Sequence, residues 1–248
     1  MFIDSGFYNE KEIYSVGTQC SDRSFCTFSC QIPIAMQQAK RGVLEDMCLA
    51  NKQKVYAGIM QYTNDFNGLF FIQESQKLWH GVLASNGKKL LSTNHYTNLN
   101  LRYITLDAAS CPAVSAISTQ KDNWGMSYGI QRTTPSQMKE RPNVTPQLGE
   151  FIIELKKNER YYGNLRLMKN SAATPLLMDT WHSGNKKGYP FFARRNQTVG
   201  SFLVHDGKTG NTFADGSSDI LSPDAFKAGF KPFSMINKDF TTFHISYK

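Results

Sequence analysis

The sequence predicts an α+β fold with an antiparallel sheet. One long stretch near the N-terminus carries apolar residues at helical spacing. Everything after it breaks into short apolar runs divided by turn residues. Phe and Tyr, which favour sheet, dominate the aromatics. One helix followed by mostly strands belongs to the α+β class.

At 248 residues the chain has room for one large domain or two small ones. Apolar residues make up 40% and aromatics 12%, enough to build a core, so disorder is not expected. The net charge is +8. Its basic pairs, such as Lys88-Lys89, Lys156-Lys157 and Arg194-Arg195, are scattered along the chain. They form no stripe and no nucleic-acid motif, so a solvated basic surface is expected and no nucleic-acid partner. "GLFFI" (68–72) is among the longest apolar runs, so neither a transmembrane helix nor a secretory apolar region is expected in these residues.

The elements follow in order. Residues 1–30 are polar, hold three of the five cysteines and show no clear period. From Ile34, apolar positions at Val43, Leu44, Met47, Cys48, Val55, Ile59 and Tyr62 predict an amphipathic helix over 34–63, about 45 Å long. Pro33 suits its start, and "NDFNG" (64–68) suits a left-handed end. Trp79, Val82 and Leu83 suggest a short helix within 75–85. "LRYITLD" (101–107) reads as a strand or short helix, and "WGMSYGI" (124–130) as a strand. Residues 132–147 read as a loop. "EFIIELKK" (150–157) and "TPLLMDTW" (174–181) read as strands, and 182–196 as a basic loop. "VGSFLVH", "NTFA" and "SSDIL" are three short strands, and "FTTFHISYK" (240–248) is a last one.

Several segments resemble the prepilin-type H-x9-D-G family of pilin-like and type II secretion pseudopilin-like proteins. His205, Asp215 and Gly216 in "VHDGKTGNTFADGSSDIL" supply the H-x9-D-G spacing. "TPLLMDTW" resembles the strand before that motif, and "CPAVSAISTQKDNWGMSYGI" the Cys-Pro segment with its aromatic-Gly strand. "AMQQAKRGVLEDMCLANKQKVYAGIMQYTNDFNG" resembles the family helix. The four segments occur in family order across 33–221. The resemblance implies a pilin-like fold over 34–248, with a long helix packed on an antiparallel sheet. It implies a non-enzymatic subunit of a pseudopilus or pilus-like fibre, placed in the cell envelope or outside it. Other pilin-like subunits or the secretion machinery are the implied partners. Residues 1–33 depart from the family: "RSFCTFSCQIPIAMQQAK" stands where a basic leader and an apolar anchor are expected, so membrane attachment requires an anchor these residues do not supply. The alternative function is a soluble or cell-surface module on the same scaffold, binding glycan, another ligand or calcium.

Within the motif, Asp215-Gly216 is a hairpin signal. It predicts pairing of Ala214 with Ser217, Thr212 with Asp219 and Val204 with Thr212, a three-stranded meander. His205 and Asp215 then lie roughly 13 Å apart, and the motif is structural. The functional reading is a calcium site, since Asp206, Asp215 and Asp219 offer hard oxygen ligands; no other cofactor is expected. The cysteine spacing fits no zinc motif. Cys48 and Cys111 fall in family-like segments, which leaves two readings: a disulfide tying helix to sheet, or two buried thiols. Cys20, Cys26 and Cys30 have no assignment. His80, His95, His182, His205 and His244 lack metalloprotease spacing and no G-x-S-x-G occurs, so no enzyme is expected. Tyr161, Tyr162, Phe191 and Phe192 are either core anchors or the lining of a binding cleft.

Overall fold

The computed structural model describes residues 23–74, 77–84, 103–105, 107–117, 127–132, 149–156, 160–192, 199–225 and 234–244. Most of the expected 132–147 loop, and the side chains of Cys20, Cys26 and Cys30, lie outside the described part. The fold is mixed α/β. The chain divides into two compact units, residues 1–41 and 42–248.

One long helix, α1 (Arg23–Asp65), starts earlier than the apolar period predicts. In the first unit its described side chains, 35–41, are all exposed. In the second, Cys48, Lys52, Val55, Ile59 and Tyr62 form a buried stripe. Val43 and Met47, expected on that stripe, are 56% and 49% exposed. At 3.6 residues per turn they stand roughly 100–140° round the helix from its centre. The helix ends as its turn residues predict. Asn67 and Gly68 have φ of 54° and 88°, and the Gly68 amide donates to the Thr63 carbonyl at 2.8 Å.

A first sheet contains β1 (Leu69–Glu74), β2 (Lys77–Leu78), β4 (Ile152–Lys156) and β5 (Arg160–Asn164) in the order β2-β1-β5-β4, all antiparallel. The second sheet contains eight strands: β3 (Tyr128–Gln131), β6 (Pro175–His182), β7 (Phe191–Phe192), β8 (Val199–Phe202), β9 (Thr209–Phe213), β10 (Ser218–Leu221), β11 (Ser234–Ile236) and β12 (Thr242–His244). Its main path runs β10-β9-β6-β8-β11-β12, with β3 joining β6 to β7. This sheet is mixed, because β8–β11 and β3–β7 pair in parallel. Two short helices, α2 (Trp79–Ala84) and α3 (Pro112–Ser115), complete the described elements of regular helix. Of the strand or short helix expected at 101–107, residues 103–105 form no regular element, Asp107 opens the 3-10 turn Asp107–Ala109, and the rest lies outside the described residues.

The expected β8-β9-β10 meander is overturned. β6, buried along nearly its whole length, lies between β8 and β9 in the sheet order. β8 pairs with Thr180–His182, and β9 with Pro175, Leu177 and Met178. The chain between them leaves the ladder at the level of Asp179. Asp206 and Gly207, with φ of 51° and 77°, make a tight turn there, and His205 and Lys208 exchange backbone hydrogen bonds across it. The β9–β10 hairpin is real but shifted by one residue: Thr212 pairs with Ser218 and Asn211 with Asp219. Asp215-Gly216 is not a two-residue turn. Only Gly216 is left-handed (φ 91°), its amide donates to the Phe213 carbonyl, and the Phe213 amide donates to Ser217. That is a three-residue loop with its glycine in the bulge position. A Cβ on Gly216 meets Tyr56 Cε1 at 2.7 Å. Gly216→Ala is therefore expected to lose about 1–2 kcal/mol, read as a lower urea midpoint with an unchanged slope.

The core joins the α1 stripe to residues of both sheets. Trp181, Phe202 and Phe240 form a three-ring cluster, with centroids 4.8, 5.3 and 6.3 Å apart. Tyr161, Phe191 and Phe192 are 3%, 3% and 5% exposed and pack in the interior, while Tyr162 is half-buried, edge-on to Phe71 at 5.5 Å. His80 is buried against the edge of Trp79, and burial pushes its pKa from 6.5 down to about 3. The folded chain holds it neutral while the unfolded chain protonates it. Its contribution is complete above pH 6.5 and is lost as pH falls towards about 3. His80→Gln is expected to flatten that part of the melting-temperature profile; an unchanged slope contradicts the assignment.

Candidate functional site

Four ligating side chains converge in the second unit: Cys48, Cys111, Asp179 and His205, all buried, with their ligand atoms within 4.8 Å of one another. Each comes from a different part of the fold. Cys48 opens the buried stripe of α1, and Lys52 follows one turn later on the same face. Cys111 is the residue before α3, extended at φ −78° and ψ 125°, with Pro112 starting the helix. Its amide donates to Ser127 Oγ, next to β3. Asp179 sits in the middle of β6, and His205 on the excursion between β8 and β9.

Asp179 is the hub. Its Oδ1 accepts from Lys52 Nζ at 2.6 Å, with both side chains fully buried. Its Oδ2 accepts from the Gly210 amide at 2.6 Å and faces His205 Nε2 at 3.3 Å. Cys48 Sγ lies 3.4 and 3.8 Å from the two oxygens, and Lys52 Nζ is 2.8 Å from that sulfur. Cys111 Sγ is 3.6 Å from His205 Nε2. Tyr128 closes one side: its hydroxyl donates to the Cys48 carbonyl at 3.0 Å, and Lys52 Nζ stands 4.1 Å from its ring centroid. Gly210 permits the approach, since a Cβ there meets Lys52 Nζ at 2.6 Å and Asp179 Oδ2 at 2.9 Å.

The groups set one another's charge. Burial pushes the Asp179 carboxyl up, but Lys52 and His205 hold it down at about 2. Burial pushes Lys52 down, and Asp179 with the two cysteines overturns this and holds it above the ordinary lysine range. Burial opposes the His205 imidazolium too, yet Asp179 and Cys48 raise it to about 9. For Cys48, burial raises the pKa, while Cys111, Lys52 and His205 bring it down to about 6. Burial and the neighbouring Cys48 push the Cys111 thiol up, so it remains the donor of that pair. Two cations, Lys52 and His205, thus balance two anions, Asp179 and Cys48. Buried charges persist only when paired in this way.

The sequence-predicted sites fare differently. His205 belongs to this cluster. Asp215 does not: its carboxylate accepts from the Ser217 amide and hydroxyl at 2.9 and 2.7 Å. The calcium set does not assemble either. Asp206 faces Lys238 at 3.7 Å, Asp219 accepts from the Ile220 amide at 2.7 Å, and neither they nor Asp215 belong to the ligating group found among the described residues. Asx-type contacts to their own backbone, or a surface lysine, take up these carboxylates. Cys48 and Cys111 are brought together as buried free thiols, the second of the two readings the sequence left open. Lys52, Asp179 and Tyr128 escaped the sequence reading. Two signals mark the first two: a lysine on the apolar face of α1, and a carboxylate inside the apolar run "PLLMDTW".

No family model matches the chain, and no curated protein or solved structure matches it.

Proposed function

We propose that this chain is a non-enzymatic, pilin-like structural subunit of the cell envelope, and that its buried polar centre holds the fold together. The observation that carries the non-enzymatic reading is enclosure. Cys48, Lys52, Cys111 and Asp179 are each 0% exposed. Reactive groups that no solvent touches cannot reach a substrate, whereas a catalytic thiolate sits in a partly exposed, electropositive place. The family resemblance supports the pilin-like reading. The exposed pair Val43 and Met47, one turn apart on α1, supports a helix that meets another subunit. No described helix is long and apolar enough to cross a membrane.

Thiol labelling of the folded, reduced chain, resolved peptide by peptide in a mass spectrometer, tests the enclosure. Cys48 and Cys111 are expected to react only as fast as the whole domain unfolds. Rapid labelling of Cys48 under native conditions would establish an accessible thiolate and sink the structural reading.

A further inference from the structure

We propose that Cys48, Cys111, Asp179 and His205 form a structural zinc site. The ligands are Cys48 Sγ, Cys111 Sγ, His205 Nε2 and Asp179 Oδ2, and Lys52 stands outside the coordination sphere.

The distances carry the inference. Zinc binds thiolate sulfur at about 2.3 Å, imidazole nitrogen at about 2.0–2.1 Å and carboxylate oxygen at about 2.0–2.2 Å, tetrahedrally in structural sites. Ligands at those bond lengths lie apart by roughly 3.3–3.4 Å for nitrogen to oxygen, and roughly 3.5–3.6 Å for sulfur to nitrogen or oxygen. The structure places His205 Nε2 at 3.3 Å from Asp179 Oδ2, Cys111 Sγ at 3.6 Å from His205 Nε2, and Cys48 Sγ at 3.8 Å from Asp179 Oδ2. The remaining pairs are within 4.8 Å. A direct imidazolium–carboxylate bond belongs at about 2.7–2.9 Å. Lys52 stands at 2.6 Å from Asp179, whereas His205 stands back at 3.3 Å, longer than such a bond prefers. Three of the six ligand pairs thus stand within about 0.3 Å of the edges of a zinc tetrahedron.

Charge and the surrounding contacts agree. Two thiolates and one carboxylate, with a neutral imidazole, carry three negative charges; a divalent ion and the Lys52 ammonium carry three positive ones. Lys52 takes the second oxygen of Asp179 and donates towards Cys48 Sγ, while the Gly210 amide donates to the ligating oxygen. These are the outer contacts that orient metal ligands. Four protein ligands leave no open position, which fits a structural centre and excludes a zinc-bound reacting water. The soft sulfur donors select zinc over calcium. The ligands come from segments far apart, 131 residues from Cys48 to Asp179 and 94 from Cys111 to His205, so no local cysteine spacing announces the site.

The test uses the full chain, reduced and stripped of metal, titrated with cobalt(II). The expected result is an intense tetrahedral visible spectrum with sulfur-to-cobalt charge-transfer bands, saturating at one equivalent and abolished by zinc. A Cys20→Ser/Cys26→Ser/Cys30→Ser variant, which leaves the cluster untouched, keeps the spectrum. Cys111→Ser and His205→Ala each weaken zinc binding by more than the ~10–100-fold loss typical of outer partners, and Lys52→Met weakens it within that range while keeping the charge-transfer bands. Absence of the bands in the wild-type chain overturns the site, as does their loss in the triple serine variant. Protected thiols without cobalt bands would leave the structural reading standing and remove zinc alone, so the two failures are distinguishable.

Discussion

Lys52→Met is expected to destabilise the second unit by about 3–5 kcal/mol. The substitution keeps most of the side chain's volume and removes only the ammonium. Asp179 then remains fully buried with one of its oxygens stripped of its partner at 2.6 Å. The cost comes from the stranded carboxylate, because an ion pair removed whole is often close to neutral. The pair therefore predicts non-additivity. Lys52→Met with Asp179→Asn loses less than the two single variants together, by about 1 kcal/mol or more. Urea unfolding of the four proteins checks this, and simple additivity would show that the two side chains do not sense each other.

Gly210→Ala is expected to cost about 2–4 kcal/mol. The new methyl stands 2.6 Å from Lys52 Nζ, 2.9 Å from Asp179 Oδ2 and 3.3 Å from Cys48 Sγ, so it wedges into the cluster. Neither β9 nor α1 moves away freely, since β9 pairs on both sides with β6 and β10. Gly207, three residues earlier, makes the contrast. It has φ of 77° but open space around it. Gly207→Ala therefore carries backbone strain alone, about 1–2 kcal/mol. Equal losses at the two positions, by thermal melts or urea, would contradict the packing at Gly210.

The fold was legible where one local rule decided it. The α1 period, its Asn-Gly end, β6 and the β9–β10 hairpin follow from apolar spacing and turn chemistry. The sheet order was not legible, because nothing within "VGSFLVHDGKTGNTF" records that β6 lies between the two strands it contains. β1 and β5 escaped for a related reason: each is defined by its partner across many residues.

The site divides in the same way. His205 was marked by its spacing to Asp215, yet its partner is Asp179, a residue of another strand. Cys48 and Cys111 stand out as a pair in the sequence, but the groups that explain them, Lys52 and Asp179, lie unmarked within a helix and a strand. A charged residue on a core-facing position is the sequence signal that finds such a centre. It names no partner, because partners are set by tertiary contact. The H-x9-D-G spacing thus combines two separate features: a histidine turned inward by the Asp206-Gly207 turn, and a glycine that completes the next hairpin.

Anomalous diffraction at the zinc edge, from crystals of the reduced, zinc-loaded chain, would locate the metal itself. One strong peak is expected, enclosed by the second unit, about 2.0–2.3 Å from Cys48 Sγ, Cys111 Sγ, His205 Nε2 and Asp179 Oδ2, with Lys52 Nζ still on the other oxygen of Asp179. A cluster without a peak, or a peak ligated by other cysteines, would contradict it.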